Sequence, residues 1–586
     1  MHSKVAALVM GCLLVLFLAP AGRAEEQPEM KKVVLTKLDG TKVEKLVEKP
    51  KYGGVFNFAE ATSPLYFDES FGGSWHAYTM MLTNEDLLDG DWTRGPSGTG
   101  EVSWIYHMVL RQAQRGAVAE SWELTDPETM VFHIRKGVRF HDKAPASGRE
   151  VTAEDVVFSL YRLWHNPKCY HYGAFPWDTH IESMEAPDMW TFVIKCKPGK
   201  TGMVFEKAAA LSKIVPKDVV EKHGDLTDWR NACGTGPFML TEYVPDNSIT
   251  YQRFPDYWGK DPYFPENRLP YLDGVKTFII PDASTRMAAM RTGKVDYLGR
   301  GTAPSREDAE SLLKTNPEMK HKSYFGGSVY GLWMRIDKPD LPFHHVKVRH
   351  ALAMAIDQRA ILDSLYGGKG ETFSWPVAPI PEFKDYFIPL DQLPESVREQ
   401  FEYHPEKAKQ LLAEAGYPNG FKTEVNCYQE QVDTLSIVKN YWQKIGVDLS
   451  LDVKEYGAFT SLGWKRTFKQ THSYPASGTF PFLFIDVTPG NAYNFSAVDD
   501  PFIKEIKSKV DASYFKEAER IEAYRKYVPH ALEQCYVIQL PMPNSYTFWH
   551  SWVRNFQGET ELGFNHTITF PRHIWLDQEM KKKATG

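Results

Sequence analysis

The long apolar sequence of this chain is confined to its first eighteen residues. Lys4 precedes a near-continuous apolar run, Val5–Leu18, broken only by Gly11, and Pro20 and Gly22 lead to Gly22-Arg23-Ala24. A basic start, a short apolar stretch and small residues at its exit read as a cleavable export signal over 1–24. The run is too short and too soon interrupted for a stable spanning helix, and no later stretch approaches the roughly 18 apolar residues that one requires. The rest of the chain must therefore hide its apolar side chains by folding on itself, and is expected to be soluble and exported to the periplasm. Val9-Met10-Gly11-Cys12 faintly resembles a lipid-attachment box. The apolar run continues past Cys12, which favours an ordinary signal cysteine over a lipid anchor.

Cleavage after Ala24 leaves 562 of the 586 residues, more than one hydrophobic core can serve, since single cores stop growing near about 250–300 residues. Two or three domains are expected. The net charge of −7 offers no basic footprint for nucleic acid. The 16 Trp, 29 Tyr and 34 Phe suit large cores, and also suit a cleft that stacks on ligand. Five cysteines follow the signal: Cys169, Cys196, Cys233, Cys427 and Cys535. An odd number leaves at least one unpaired in an oxidising compartment, and Cys196 with Cys233 is one possible pair.

Residues 25–52 are rich in Lys and Glu and read as a loosely packed leader. Gly53–Phe58 begins the core with an alternating strand pattern. Thr129–Ile134, Gly137–His141, Thr191–Lys195, Phe238–Val244, Ile249–Arg253 and Val275–Ile280 read as strands. Thr152 and Asp155 open a helix whose Val156, Val157, Leu160, Tyr161 and Trp164 share a face. Val215–Lys222 and Ser284–Arg291 are further helices. A second set follows: helices Val346–Gln358, Pro405–Ala415, Leu435–Ile445, Pro501–Val510 and Tyr514–Ala531, and strands Phe421–Tyr428, Val447–Val453 and Val537–Leu540. Gly416 and Gly446 stop two of these helices. Strands and helices alternate in both halves, so the class is α/β with mixed sheets. No repeat or low-complexity linker separates the halves, which suggests domains joined by crossing strands.

No catalytic constellation is visible. HExxH, CxxC and GxxxxGK[ST] are absent, and Gly95–Thr99 and Gly326–Tyr330 each miss the last glycine of GxSxG. Asp499-Asp500 precedes Pro501 and reads as a helix start. His133, His141, His171, His180, His344 and His345 show no ligand spacing, so neither metal nor cofactor is expected. The chain reads as a binding protein rather than an enzyme.

Several segments, taken in order, carry a resemblance. Ala119-Glu120-Ser121-Trp122-Glu123, Phe132–Asp142 (FHIRKGVRFHD), Thr152–Val156 (TAEDV), Gly234–Phe238 (GTGPF) and Asp256-Tyr257-Trp258 are followed by Gly293–Asp296 (GKVD). Pro342-Phe343 with Val348–Leu352 and Ala355-Ile356-Asp357 come next, then Pro405–Ala408 with Leu411-Leu412 and Ala415-Gly416-Tyr417. Together these resemble family 5 of the bacterial extracellular solute-binding proteins, the peptide- and nickel-binding components of ABC transporters, over nearly the whole exported chain.

The resemblance implies a two-lobed periplasmic-binding-protein fold of class II type, with mixed sheets, a ligand cleft between the lobes and an extra subdomain. It places 53–285 with 541–586 in the first lobe, the extra subdomain at about 76–195, and 286–540 in the second lobe. It implies hinged closure on a small solute, docking on a membrane permease, and a monomer. Dipeptide-binding members carry a GW…DPD segment whose Asp grips the ligand amine. The corresponding Ser473–Phe495 here holds one acid, Asp486. Those members also place an Arg where this chain has Glu430, Gln431 and Asp433. Residues expected near the ligand are Asp486, Glu430, Arg335 and the aromatics Trp333, Trp375, Tyr428, Tyr474 and Phe480. Arg335 stands where the family usually has Asn, and is expected to face ligand or an acid across the cleft. A peptide or related polar solute is the expected ligand. A nickel chelate, an amine or an oligosaccharide is the alternative, and an exported hydrolase or chaperone-like factor is the alternative function.

Overall fold

The computed structural model describes residues 28–73, 76–106, 111–479, 487–564 and 566–586. The export signal, Cys12, Phe480 and Asp486 lie outside the described residues.

Two large mixed sheets organise the chain. The first has seven strands in the order Phe238–Val244, Ser248–Arg253, Gly274–Ile279, Val55–Glu60, Tyr297–Leu298, Ser545–Trp549 and Lys320–Tyr324. Its centre is parallel: Val55–Glu60 pairs in parallel with both Gly274–Ile279 and Tyr297–Leu298. The second has five strands in the order Asp448–Lys454, Lys422–Tyr428, Thr471–Ser477, Ser328–Met334 and Val537–Leu540. Its first three strands are parallel to one another. A third, four-stranded antiparallel sheet comprises Ala119–Asp126, Thr129–Ile134, Thr191–Cys196 and Ile181–Asp188.

The chain passes from the first large sheet to the second between Tyr324 and Ser328, and returns between Leu540 and Ser545. Residues 286–324 supply two strands, Tyr297–Leu298 and Lys320–Tyr324, to the seven-stranded sheet. The strand Tyr297–Leu298 is two residues long, too short to show a period of its own.

Helix Ala153–His165 begins as expected, with the Thr152 backbone N–H donating to Asp155 at 3.0 Å. Arg149 clasps the same carboxylate, at 2.8 and 2.7 Å, and turns its other face to Asp218. The helix expected over Val346–Gln358 is two helices. The first stops at Met354; Asp357 then caps Gln358–Tyr366 by accepting from the Ala360 N–H at 2.9 Å. An aspartate competes with helical hydrogen bonding and favours a cap over a helix interior.

The leader is not loose. Met30–Thr36 and Lys42–Glu48 form a hairpin turning at Gly40, φ +86°, and Val33, Leu35 and Val47 pack on the core of the first sheet. Gly137–His141 is not a strand; it contributes one bridge, Arg139 to Glu150. All five described cysteines are buried and free, so the Cys196–Cys233 pair does not form.

Candidate functional site

Strand direction places the site. Glu60, Ile279 and Leu298 end the parallel strands of the seven-stranded sheet at one edge, where Tyr324 pairs with Ser545. In the five-stranded sheet Tyr428, Lys454 and Ser477 end parallel strands at one edge, where Ser477 pairs with Ser328. Both crossing segments join these two edges. In open α/β sheets the carboxyl ends of parallel strands bound the ligand crevice, because loops and helix starts gather there. Here two such edges are tied together by the two crossings, so the crevice lies between them. Cavities of about 370 and 440 Å³ lie elsewhere: one beside His141, Lys143, Trp229 and Arg230, the other beneath the C-terminal helix at Trp552, Met580 and Lys583.

Contacts across the junction draw the lobes together. The Ser103 N–H donates to Glu382 at 2.7 Å. Tyr106 lies close to Gly327 of the outward crossing, with Thr479 on the same glycine. On the first lobe, Arg300 follows the strand Tyr297–Leu298 and contacts the buried Glu561. Burial holds the Arg300 guanidinium down to about 10, against the raising fields of Tyr324, Tyr297 and Glu60. Glu60 is partly buried, and its carboxylate has no hydrogen-bond or ion-pair partner among the described residues. Burial pushes that carboxyl up to about 8, opposed by Arg300 and then Arg286.

The second lobe presents aromatic rings. Tyr428 ends its strand with Tyr456 and Phe459 against it, ring centroids 5.2 and 5.0 Å away. Tyr474 lies under the same Phe459, at 6.2 Å, and beside Phe495 at 4.8 Å. Tyr456 and Trp464, at the two ends of helix Tyr456–Trp464, remain 58% and 40% exposed. Tyr456, beside Tyr428 at the strand ends, leaves apolar ring surface exposed there.

The residues expected from sequence separate into three groups. Tyr428 ends the strand Lys422–Tyr428, and Glu430 is exposed in the turn after it, at the strand-end edge of the five-stranded sheet. Trp333 and Trp375 are 1% exposed and pack edge to face at 6.0 Å, while Trp333 Nε1 donates to the Tyr474 carbonyl at 2.9 Å. They and the half-buried Tyr474 support the sheet from within. Among the described residues, the partners of Arg335 all lie on its own side. Its Nε donates to Asp337 at 2.7 Å and its Nη1 to the Arg466 and Phe468 carbonyls at 2.9 and 3.3 Å. Asp337, two residues away, satisfies it within its own lobe. Glu60 and Arg300 were not singled out in the sequence. An acid closing the otherwise apolar strand VFNFAE was the available sign.

The family model described as bacterial extracellular solute-binding proteins, family 5 middle, matches residues 114–498. Heme-binding protein A of Haemophilus influenzae is 34% identical over 328 residues, covering 53% of this chain and 55% of that protein. The dipeptide-binding protein of Escherichia coli is 29% identical over 373 residues, 58% of this chain and 64% of that protein. The chain thus spans less than two thirds of the length of these two curated relatives. Among solved structures, the periplasmic binding protein DppA of Helicobacter pylori, in complex with the peptide STSA, superposes with a TM-score of 0.70 at 23% identity. It covers 90% of this chain and 99% of its own. HbpA2 of Haemophilus parasuis gives 0.67 at 22% identity, with 89% and 100% coverage. With its middle two thirds matched by the family model and the two-lobed architecture shared, the chain belongs to the bacterial extracellular solute-binding proteins of family 5.

Proposed function

We propose that this protein is the exported binding component of an ABC importer, which captures a peptide between its lobes and hands it to a membrane permease. The observation that carries this reading is the pair of facing strand edges joined by two crossings, with a charged edge on one lobe and an aromatic one on the other. A peptide suits such a crevice: its termini and amides match polar groups, and its side chains match exposed rings. Tyr428 and Glu430 are the sequence-predicted residues that stand against ligand in this reading, with Trp333, Trp375 and Tyr474 as their support. Residues 1–24 act as the export signal, removed in the mature monomer. The similarity to proteins named for dipeptide and di/tripeptide binding supports the peptide class.

The test uses the full exported chain purified without unfolding. Solute extracted from it is identified by mass spectrometry, and melting is followed against peptides, amines, oligosaccharides and nickel chelates. A ligand at about 100 times its Kd stabilises the bound state by about 2.7 kcal/mol, a clear shift in melting. A saturable shift with peptides is expected. No saturable ligand, together with measurable turnover of a substrate, would overturn the reading in favour of an exported hydrolase.

A further inference from the structure

We propose that the carboxylate of Glu60 receives the amino group of the ligand. This deepens the peptide-capture reading and rests on it. Glu60 is the last residue of Val55–Glu60, which lies between two parallel neighbours at the centre of the seven-stranded sheet. Its carboxylate therefore stands at the crevice edge, beside the glycine-flanked turn Gly299-Arg300-Gly301. A β-carbon built on Gly301 would lie 3.7 Å from Glu60 Oε2, so the turn passes close without filling the space around the acid.

Partly buried carboxylates are ordinarily paired or hydrogen-bonded, because desolvation of an isolated one is costly. Glu60 is neither. The cations whose fields reach it are engaged elsewhere. Arg286 donates Nη1 to the Ile280 and Pro281 carbonyls, each at 2.7 Å, and Arg300 contacts Glu561. The other titratable groups that feel its charge are tyrosines: Tyr78 from the segment before Met80, Tyr251 from the strand Ser248–Arg253 of the same sheet, and Tyr297. The Tyr78 hydroxyl donates to the Thr62 carbonyl at 3.1 Å. The Tyr251 hydroxyl is buried without a partner. Glu60 is thus an acid without a protein partner among the described residues, at the end of the central strand. An ammonium group fits it: it carries three donors, one charge, and no acceptor of its own.

The proposal carries a proton signature. Without ligand the Glu60 carboxyl sits near 8, so much of it is protonated at pH 6.5. An incoming ammonium favours the ionised form and expels that proton. Affinity for an amine therefore rises with pH toward about 8, then falls as the ligand's α-amino group, pKa about 7.7–8.0, loses its charge.

The test compares a pool of di- to pentapeptides bearing free amino termini with the same pool N-acetylated. The peptide giving the largest melting shift is then studied by calorimetry at pH 6.5 in buffers of different ionisation enthalpy. Wild-type protein is expected to favour the free amine by about tenfold or more and to release a proton on binding. Glu60→Gln is expected to lose both the preference and the proton release, to bind the acetylated peptide as wild type does, and to melt no lower without ligand. Glu60→Asp should regain part of the preference. Equal binding of both pools by wild type, preference for an acidic solute, or an unchanged preference in Glu60→Gln would each overturn the proposal while leaving peptide capture intact. If neither pool binds, the peptide reading falls. Glu60 is then judged by the solute recovered from the purified protein, and a solute without an amine overturns the assignment.

Discussion

Gly202 lies beneath the ring of Tyr514, and a β-carbon at 202 would fall inside that ring. Gly202 is the second residue of the helix Thr201–Ala210, which packs on the strands Thr129–Ile134 and Thr191–Cys196, and Tyr514 sits in the turn between the helices Pro501–Ala512 and Glu517–Glu533. Phe515 follows it into contact with Phe205 and Trp122, ring centroids 5.7 and 5.9 Å apart, and Arg111 lies over the Phe515 ring at 5.7 Å. The two lobes are thus fastened far from the crossings as well as at them. Gly202→Ala is expected to push this turn away and favour an open molecule. Small-angle scattering should show a larger radius of gyration, and ligand affinity should fall about tenfold. Overpacking of a filled contact costs about 1–3 kcal/mol.

Closure at this contact buries an acid. The Tyr514 hydroxyl meets Glu206, whose carboxyl is pushed up to about 7 by burial, opposed by Lys207, Arg520 and Arg111. Separation of the lobes would return Glu206 to water and an ordinary value near 4.5. The closed form then binds more protons than the open one between those two values, so closure weakens as pH rises through about 4.5 to 7 and levels off above it. Glu206→Gln should remove this dependence from scattering curves taken across that range. Lys207, held down to about 7 in the same place, keeps its charge through most of that window.

Buried histidines govern acid stability. Burial alone holds His472 down to about 3, and burial is also the leading cause for His171, near 3, and His141, near 4. His472 has both ring nitrogens without partners and stacks between Phe459 and Phe468 at 4.4 and 5.0 Å. Each group has a folded value below its unfolded value of about 6.5, so the stability it confers is present above 6.5 and is lost as pH falls. The loss amounts to about 1.4 kcal/mol per pH unit per histidine, continuing to about 4 for His141 and about 3 for the other two. Denaturant titrations at pH 7 and pH 5 should show this steep fall, with a shallower one in His472→Phe.

A buried charge network ties the C-terminal segment to Asp86 and Asp89. Asp89 accepts from Arg572 Nη1 at 2.7 Å and lies 3.2 Å from His566 Nδ1, while His566 Nε2 is 2.6 Å from Asp86. Arg572 and His566, with Lys213 close by, hold both aspartates well below the usual carboxylate range. Removing one charge leaves the others buried and uncompensated, which costs about 3–5 kcal/mol. Asp89→Asn should therefore lower the denaturation midpoint strongly, and Asp89→Asn combined with Arg572→Met should recover part of the loss.

Long amphipathic elements were legible in the sequence. The pattern of Val156, Leu160 and Trp164 marked the helix 153–165, and strand Val537–Leu540 emerged with its expected ends. Short or context-made elements were not. Tyr297–Leu298 is a strand only because Val55–Glu60 and Ser545–Trp549 flank it, so it stayed hidden. Charged partners were equally opaque: Arg335 meets Asp337 two residues on, while Arg572 meets Asp89 from the far end of the chain. Which aromatics face the crevice depends on helix Tyr456–Trp464 covering the sheet, and that covering leaves no periodic trace around Trp333 or Tyr474.

The strand Ser545–Trp549 has a consequence for order of assembly. It lies between Tyr297–Leu298 and Lys320–Tyr324 in the seven-stranded sheet, so the lobe begun first in the chain is completed last. A polypeptide made from its N-terminus can finish the second sheet, all of whose strands lie between Ser328 and Leu540, while the first still has an unfilled slot with two waiting edges. Open edges of this kind recruit other strands. The interval between emergence of residue 324 and of residue 545 is therefore when this chain is most exposed to mispairing.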